Sequence, residues 1–141
     1  MTKSAAASDP LIGSWKLVSF QFVIEGTDER GNVYDEHPTG FLAFTADGRM
    51  LTILTASDRQ QDADPGNLFA SMMAYSGRYR LQDAATLIIN IDAAWHPSWV
   101  GTEQTRLFKL EADTLSIIAP PQPHPKWPGR LVRGIVAWRK E

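Results

Sequence analysis

The chain contains no cysteine, which removes disulfides, thiolate metal sites and cysteine nucleophiles together. It also lacks an excess of charge of either sign. With 14 Lys and Arg against 16 Asp and Glu, the formal charge is −2, so no field draws in polyphosphates and nucleic acid is not an expected partner. No apolar run is long enough to span a bilayer, and residues 1–10 form a polar, alanine-rich start without the continuous apolar core of a secretion signal. A membrane is therefore not an expected partner, and the cytoplasm is the expected location. Catalytic motifs are missing as well: there is no Gly-x-Ser-x-Gly elbow, no phosphate-binding glycine loop and no dinucleotide fingerprint. His37, His96 and His124 are isolated from one another. None has the paired spacing of metal ligands, and neither a metal nor a cofactor is expected.

What remains is a pattern of short strands. The 141 residues suit one core, with a flexible tail over residues 1–10 and a single domain over 11–141. From Trp15 to Ile24 the apolar positions are Trp15 and Leu17, then Val18, Phe20, Phe22 and Ile24. The period of two changes phase between Leu17 and Val18, which predicts a β-bulge that re-aims the strand. Gly26 to Gly31 is a polar turn. Phe41–Thr45 and Met50–Thr55 predict a hairpin through Ala46-Asp47-Gly48, since Asp-Gly supplies the positive-φ turn. Further strand patterns cover 77–81, 87–92, 103–110, 115–119 and 131–139, making eight in all.

Asp64-Pro65 predicts a helix start, with aspartate capping free amides and proline in the first turn. The spacing of Leu68 with Met72 and of Phe69 with Met73 extends it to about two or three turns. Such a helix closes a barrel end. Two loops are stiff and aromatic: 93–102, with Trp95, His96, Pro97 and Trp99, and 120–129, with five prolines around His124 and Trp127. Proline fixes φ and removes a donor, so these loops are expected to stay unpaired and to cross a barrel mouth.

The blocks Leu11-Ile12-Gly13-Ser14-Trp15, Phe44-Thr45-Ala46-Asp47-Gly48-Arg49-Met50, Ala74-Tyr75-Ser76-Gly77-Arg78-Tyr79 and Pro97-Ser98-Trp99-Val100-Gly101-Thr102 occur in that order. In these the chain resembles the lipocalin-like domain family of small bacterial and fungal proteins. The resemblance implies an all-β fold: an eight-stranded antiparallel up-and-down barrel related to lipocalins and fatty-acid-binding proteins, here with one short helix at a barrel end. Gly13 and Trp15 match the lipocalin glycine and tryptophan at the closed end. The resemblance also implies a late arginine stacked on that indole, for which Arg139 and Arg133 are the candidates. The remaining lipocalin motif of the middle loop is not evident, which departs from a secreted carrier. Some barrels of the wider superfamily act as cyclases or isomerases.

An eight-stranded barrel is either filled by its own side chains or hollow enough for one small ligand. Alternation in the strand around Leu107 puts Gln104, Arg106, Phe108 and Leu110 on the more apolar face, so Arg106 is expected to point inward. A buried guanidinium needs a partner. It either pairs with an acid or a backbone carbonyl, or anchors the anion of an apolar ligand through its forked donors. Tyr79 is expected inward, with Arg78 and Arg80 solvated. Tyr75 and Tyr79 either pack in the core or line the cavity with Phe108, while Phe69 and Met73 line it from the helix and Trp95 and Trp99 form its mouth.

Three functions follow as expectations. The first is binding of a small apolar or amphipathic molecule, with Arg106 as its polar anchor. The second is a cofactor-independent cyclisation or isomerisation, with His96 as general acid or base and Tyr75 or Glu103 as the second group. The third is a small protein-interaction module that forms a homodimer through an exposed strand face or through the proline-rich loop.

Overall fold

The computed structural model of the chain describes residues 9–141. Eight long strands run up and down in antiparallel order and close on themselves. They are β1 (Gly13–Ile24), β3 (Thr39–Phe44), β4 (Arg49–Thr55), β5 (Met72–Asp83), β6 (Thr86–Ala94), β7 (Glu103–Glu111), β8 (Thr114–Ile118) and β10 (Trp127–Lys140). Each pairs with the next in this series, and β10 returns to β1 to complete the ring. Two three-residue strands, β2 (Arg30–Asn32) and β9 (Gln122–His124), add to the outer edges of β1 and β10. Among the described residues one α-helix, α1 (Pro65–Ala70), links β4 to β5. The closed eight-stranded barrel is the expected fold, and closure leaves the main sheet without free edges.

The bulge in β1 lies where the alternation changes phase. Leu17 pairs with Trp138, but the next pair is Ser19 with Ala137. Val18 is the extra residue and is exposed. Below the bulge β1 pairs with β3 from Gly13 to Lys16, and above it β1 pairs with β2 instead. The kink thus parts β1 from β3 and opens one end of the barrel. The β3–β4 hairpin closes through Ala46-Asp47-Gly48, with Gly48 N–H donating to Thr45 O at 3.1 Å.

Three sequence expectations are corrected. The helix is six residues long, capped by Asp64 whose side chain accepts from Asn67 N–H; Met72 and Met73 belong to β5. Thr55 and Leu54 pair with Met72 and Met73, and this ladder takes the backbone groups that continued helix would need, whatever the four-residue spacing suggests. The proline-rich loop does pair: Gln122 and Pro123 face Val132 and Leu131. As an edge strand β9 has one neighbour, so the donor that Pro123 lacks is missed by no second strand. Finally, β10 begins at Trp127, earlier than the apolar alternation marks.

The core fills the lower half of the barrel. Leu11, Trp15, Phe44, Leu87, Ile89, Leu115 and Trp138 are almost wholly buried there. Trp15 Nε1 donates to Leu11 O at 3.0 Å, locking the entry segment across the closed end. The tail expected over residues 1–10 falls outside the described residues as far as Ser8. Asp9 is described, and its carboxylate accepts from Leu11 N–H at 2.8 Å and from the Tyr79 hydroxyl at 2.6 Å.

The closed end also corrects the expected cation. Lys140, not Arg139, lies over the Trp15 ring at 4.7 Å, while Arg139 is exposed and Arg133 pairs with Glu25 at 3.5 Å. Side chains alternate along β10, so Lys140 shares the inward face of Trp138 and Arg139 does not. Gly13, at φ +133°, lies under the same lysine: a Cβ there would come within 2.5 Å of Lys140 Nζ.

Candidate functional site

The upper half of the barrel is hollow. A cavity of about 780 Å³ opens between the ends of β1, β5, β7, β8 and β10, within the range of small-molecule sites. Phe20, Ile117 and Val136 make its floor, Phe22, Met73, Tyr75 and Trp99 its walls, and the β9–β10 turn with Trp127 lies at its rim. These side chains come from alternate positions of several strands, which is how the pleat delivers one apolar face to the interior. Trp127 packs on Phe22, their ring centroids 4.7 Å apart.

Arg106 projects into this space from β7, beside Tyr75. Burial pushes its pKa down, partly offset by the Tyr75 phenol, and burial likewise pushes Tyr75 up against the pull of the Arg106 charge. Arginine remains cationic under either influence. The guanidinium donates to Thr105 O at 3.0 Å and to Gln104 Oε1 at 3.1 Å. Both acceptors are neutral, and among the described residues no carboxylate lies within ion-pair distance of it. Among the described residues, those lining the cavity include Arg106, Lys126, His124 and Arg133, the last paired with Glu25 outside the lining, but no Asp or Glu. A chain of net negative charge has therefore built a cavity whose charged groups are all basic.

An aromatic cluster runs outward from the cavity wall. Trp99, on the 3-10 turn Pro97–Trp99, lies 5.2 Å from Tyr75 and 5.1 Å from Trp95. Trp95 in turn stacks on Phe69 of α1 at 6.0 Å, and its buried Nε1 has no acceptor among the described residues. Of the residues singled out in the sequence, Arg106, Tyr75, Met73 and Trp99 meet at the cavity. Trp95 and Phe69 sit behind its wall. Tyr79 does not join them: it lies towards the closed end, against Phe44 at 4.8 Å and bonded to Asp9. Phe108 points inward from β7 but packs in the core below.

The proposed acid–base group is not assembled. His96 caps the 3-10 turn, its Nδ1 accepting from Ser98 N–H at 3.2 Å, with its ring against Phe69 and Trp95. Glu103 faces outward, 3.7 Å from Arg80. Neither lines the cavity with Tyr75. Residues that sequence reasoning passed over include Phe20, Phe22, Val136, His124 and Gln104. For the first three, the alternation in β1 and β10 was the available signal. His124 lay in a segment read as unpaired loop.

Among the described residues no three His, Asp or Glu side chains gather as metal ligands, and no helix is long and apolar enough to cross a membrane. A closed eight-stranded antiparallel barrel, packed at one end and open to an apolar cavity at the other, is the lipocalin architecture. The lipocalin-like domain model matches residues 12–141, and the chain belongs to that family. No curated protein matches it.

Proposed function

We propose that this protein binds a small amphipathic molecule carrying an anionic group, its apolar body in the upper barrel and its anion on Arg106. The observation that carries this reading is the guanidinium itself, half-buried at a cavity that Tyr75, Trp99 and Met73 also line and, among the described residues, bonded to neutral oxygens alone. A charge so placed is costly unless something compensates it, and a carboxylate, sulfonate or enolate offers the forked acceptors that arginine matches. The basic residues at the rim favour entry of the same charge. The test is titration with anilinonaphthalenesulfonate, an apolar anion that fluoresces when shielded from water. The parent binds it at one site, and Arg106→Leu weakens binding at least tenfold, the worth of a charge-assisted hydrogen bond. Equal binding by parent and variant removes the anchor.

The outer wall supports a second reading, self-association. Phe41, Leu51 and Ile53 are 44%, 45% and 45% exposed and adjoin Ala43, Ala74 and Ser76 on neighbouring strands, lining a shallow apolar groove. Apolar side chains exposed side by side in this way are suited to burial against a partner surface. Light scattering across a wide concentration range tests it: a dimer in the parent that is lost in Ile53→Lys supports this face, and monomers throughout end the reading.

A further inference from the structure

We propose that Gln104 sets the charge selectivity of the cavity, holding Arg106 in place with an amide where a carboxylate would neutralise it. This rests on Arg106 being the anion anchor. Gln104 sits two residues before Arg106 on the same face of β7, at the mouth end, and lines the cavity with it. Its Oε1 accepts from Arg106 Nη2 at 3.1 Å. Its Nε2 donates to Thr102 Oγ1 at 2.9 Å, and the Thr102 hydroxyl donates onward to Trp99 O at 2.6 Å.

The direction of this relay fixes the chemistry of residue 104. The single proton of the Thr102 hydroxyl is committed to the Trp99 carbonyl, so towards residue 104 its oxygen only accepts. The side chain there must present a donor on that side and an acceptor to the guanidinium on the other. Glutamine supplies both, whereas a glutamate of the same length sets oxygen against oxygen at Thr102. More important, a glutamate would place a full negative charge against Arg106 and fill the electrostatic role assigned to the ligand. Glutamine orients the guanidinium and leaves its charge and its remaining N–H groups for the cavity. The same relay ties the anchor to the turn that carries Trp99, the residue packed at a tilt on Tyr75.

The experiment compares two probes of one apolar body, pyrenebutyric acid and pyrenebutanol, by pyrene fluorescence in the parent, Arg106→Leu, Gln104→Glu and Gln104→Met. The parent prefers the acid, and Arg106→Leu abolishes the preference. Gln104→Glu lowers the acid-to-alcohol affinity ratio about tenfold or more, in keeping with the loss of a charge-assisted bond. Gln104→Met, which removes the amide without adding charge, loses affinity but keeps the ratio above one. Should Gln104→Glu not give a folded barrel, Gln104→Asp places a shorter carboxylate at the same position and is read in the same way. If Arg106→Leu abolishes the preference and the carboxylate variant preserves it, the role of Gln104 is overturned while the anchor stands. If the parent shows no preference, the anchor and this inference fall together.

Discussion

Lys140 Nζ lies 4.7 Å from the centre of the Trp15 ring and donates to Ile12 O at 2.6 Å. One cation therefore joins the last strand to the first and to the segment that enters it. A cation over an indole at an exposed site contributes about 0.5–1 kcal/mol. Lys140→Met is expected to lower the unfolding free energy by about that much, and Arg139→Met by less than about 0.5 kcal/mol, the usual limit for an exposed residue. Urea denaturation followed by tryptophan fluorescence compares the two. A larger effect at Arg139 would return the clasp to the arginine.

At Gly77 the backbone of β6 occupies the place a side chain would take. A Cβ there would stand 2.2 Å from the Asn90 carbonyl oxygen and 2.9 Å from Ile91 Cα, and backbone atoms do not yield as a side-chain end does. The register of the two strands shifts at this place, between Ser76 and Gly77. Gly77→Ala is expected to destabilise the barrel by about 3 kcal/mol or more, at the upper end of single substitutions. Equilibrium denaturation measures it. A variant within about 1 kcal/mol of the parent would mean that the two strands separate there at little cost.

Alternation along single strands carried most of what was legible in the sequence. The bulge at Val18 and the inward side of Arg106 both follow from parity, a local property. The helix end was not legible, because Phe69 and Met73 stand four apart whether or not the last turn forms. Only the pairing of Leu54 with Met73 decides it, and that contact is non-local. Prolines hid β9 because their usual effect on interior strands does not apply at an edge. The cavity shows the same limit. Tyr75, Arg106 and Phe22 lie on three strands, and their meeting depends on the closure of the ring, which no window of sequence contains.

Asp92 receives both arms of Arg49, at 3.0 and 2.9 Å, on the outer wall. These hydrogen bonds hold its carboxyl below the usual carboxylate range. A pKa lower in the folded than in the unfolded chain stabilises the fold above the ordinary carboxylate value of about 4, and the contribution is lost as pH falls through the depressed folded value. Asp92→Asn is expected to melt below the parent at pH 7, with the gap closing as the pH drops under about 4. Melting curves followed by circular dichroism across this range check it. A gap that stays constant with pH would assign the effect to lost hydrogen bonding rather than to charge.

Gly134 offers a way to fill the cavity without touching Arg106. It lies on the inward face of β10 between Val132 and Val136 and lines the cavity. A Cβ built there meets only Phe20 Cε1, at an ordinary contact distance of 3.6 Å. A larger apolar side chain thus grows into space that a ligand would take, and replacing a strand glycine adds packing surface and removes unfolded-state entropy. Gly134→Val is expected to melt at or above the parent's temperature while binding anilinonaphthalenesulfonate at least tenfold more weakly, a loss of about 1.4 kcal/mol. Paired melting and fluorescence titration read both effects on one sample. A variant that gains stability and still binds the probe as the parent does would locate the bound probe elsewhere, with the outer groove beside Leu51 and Ile53 the next surface to block.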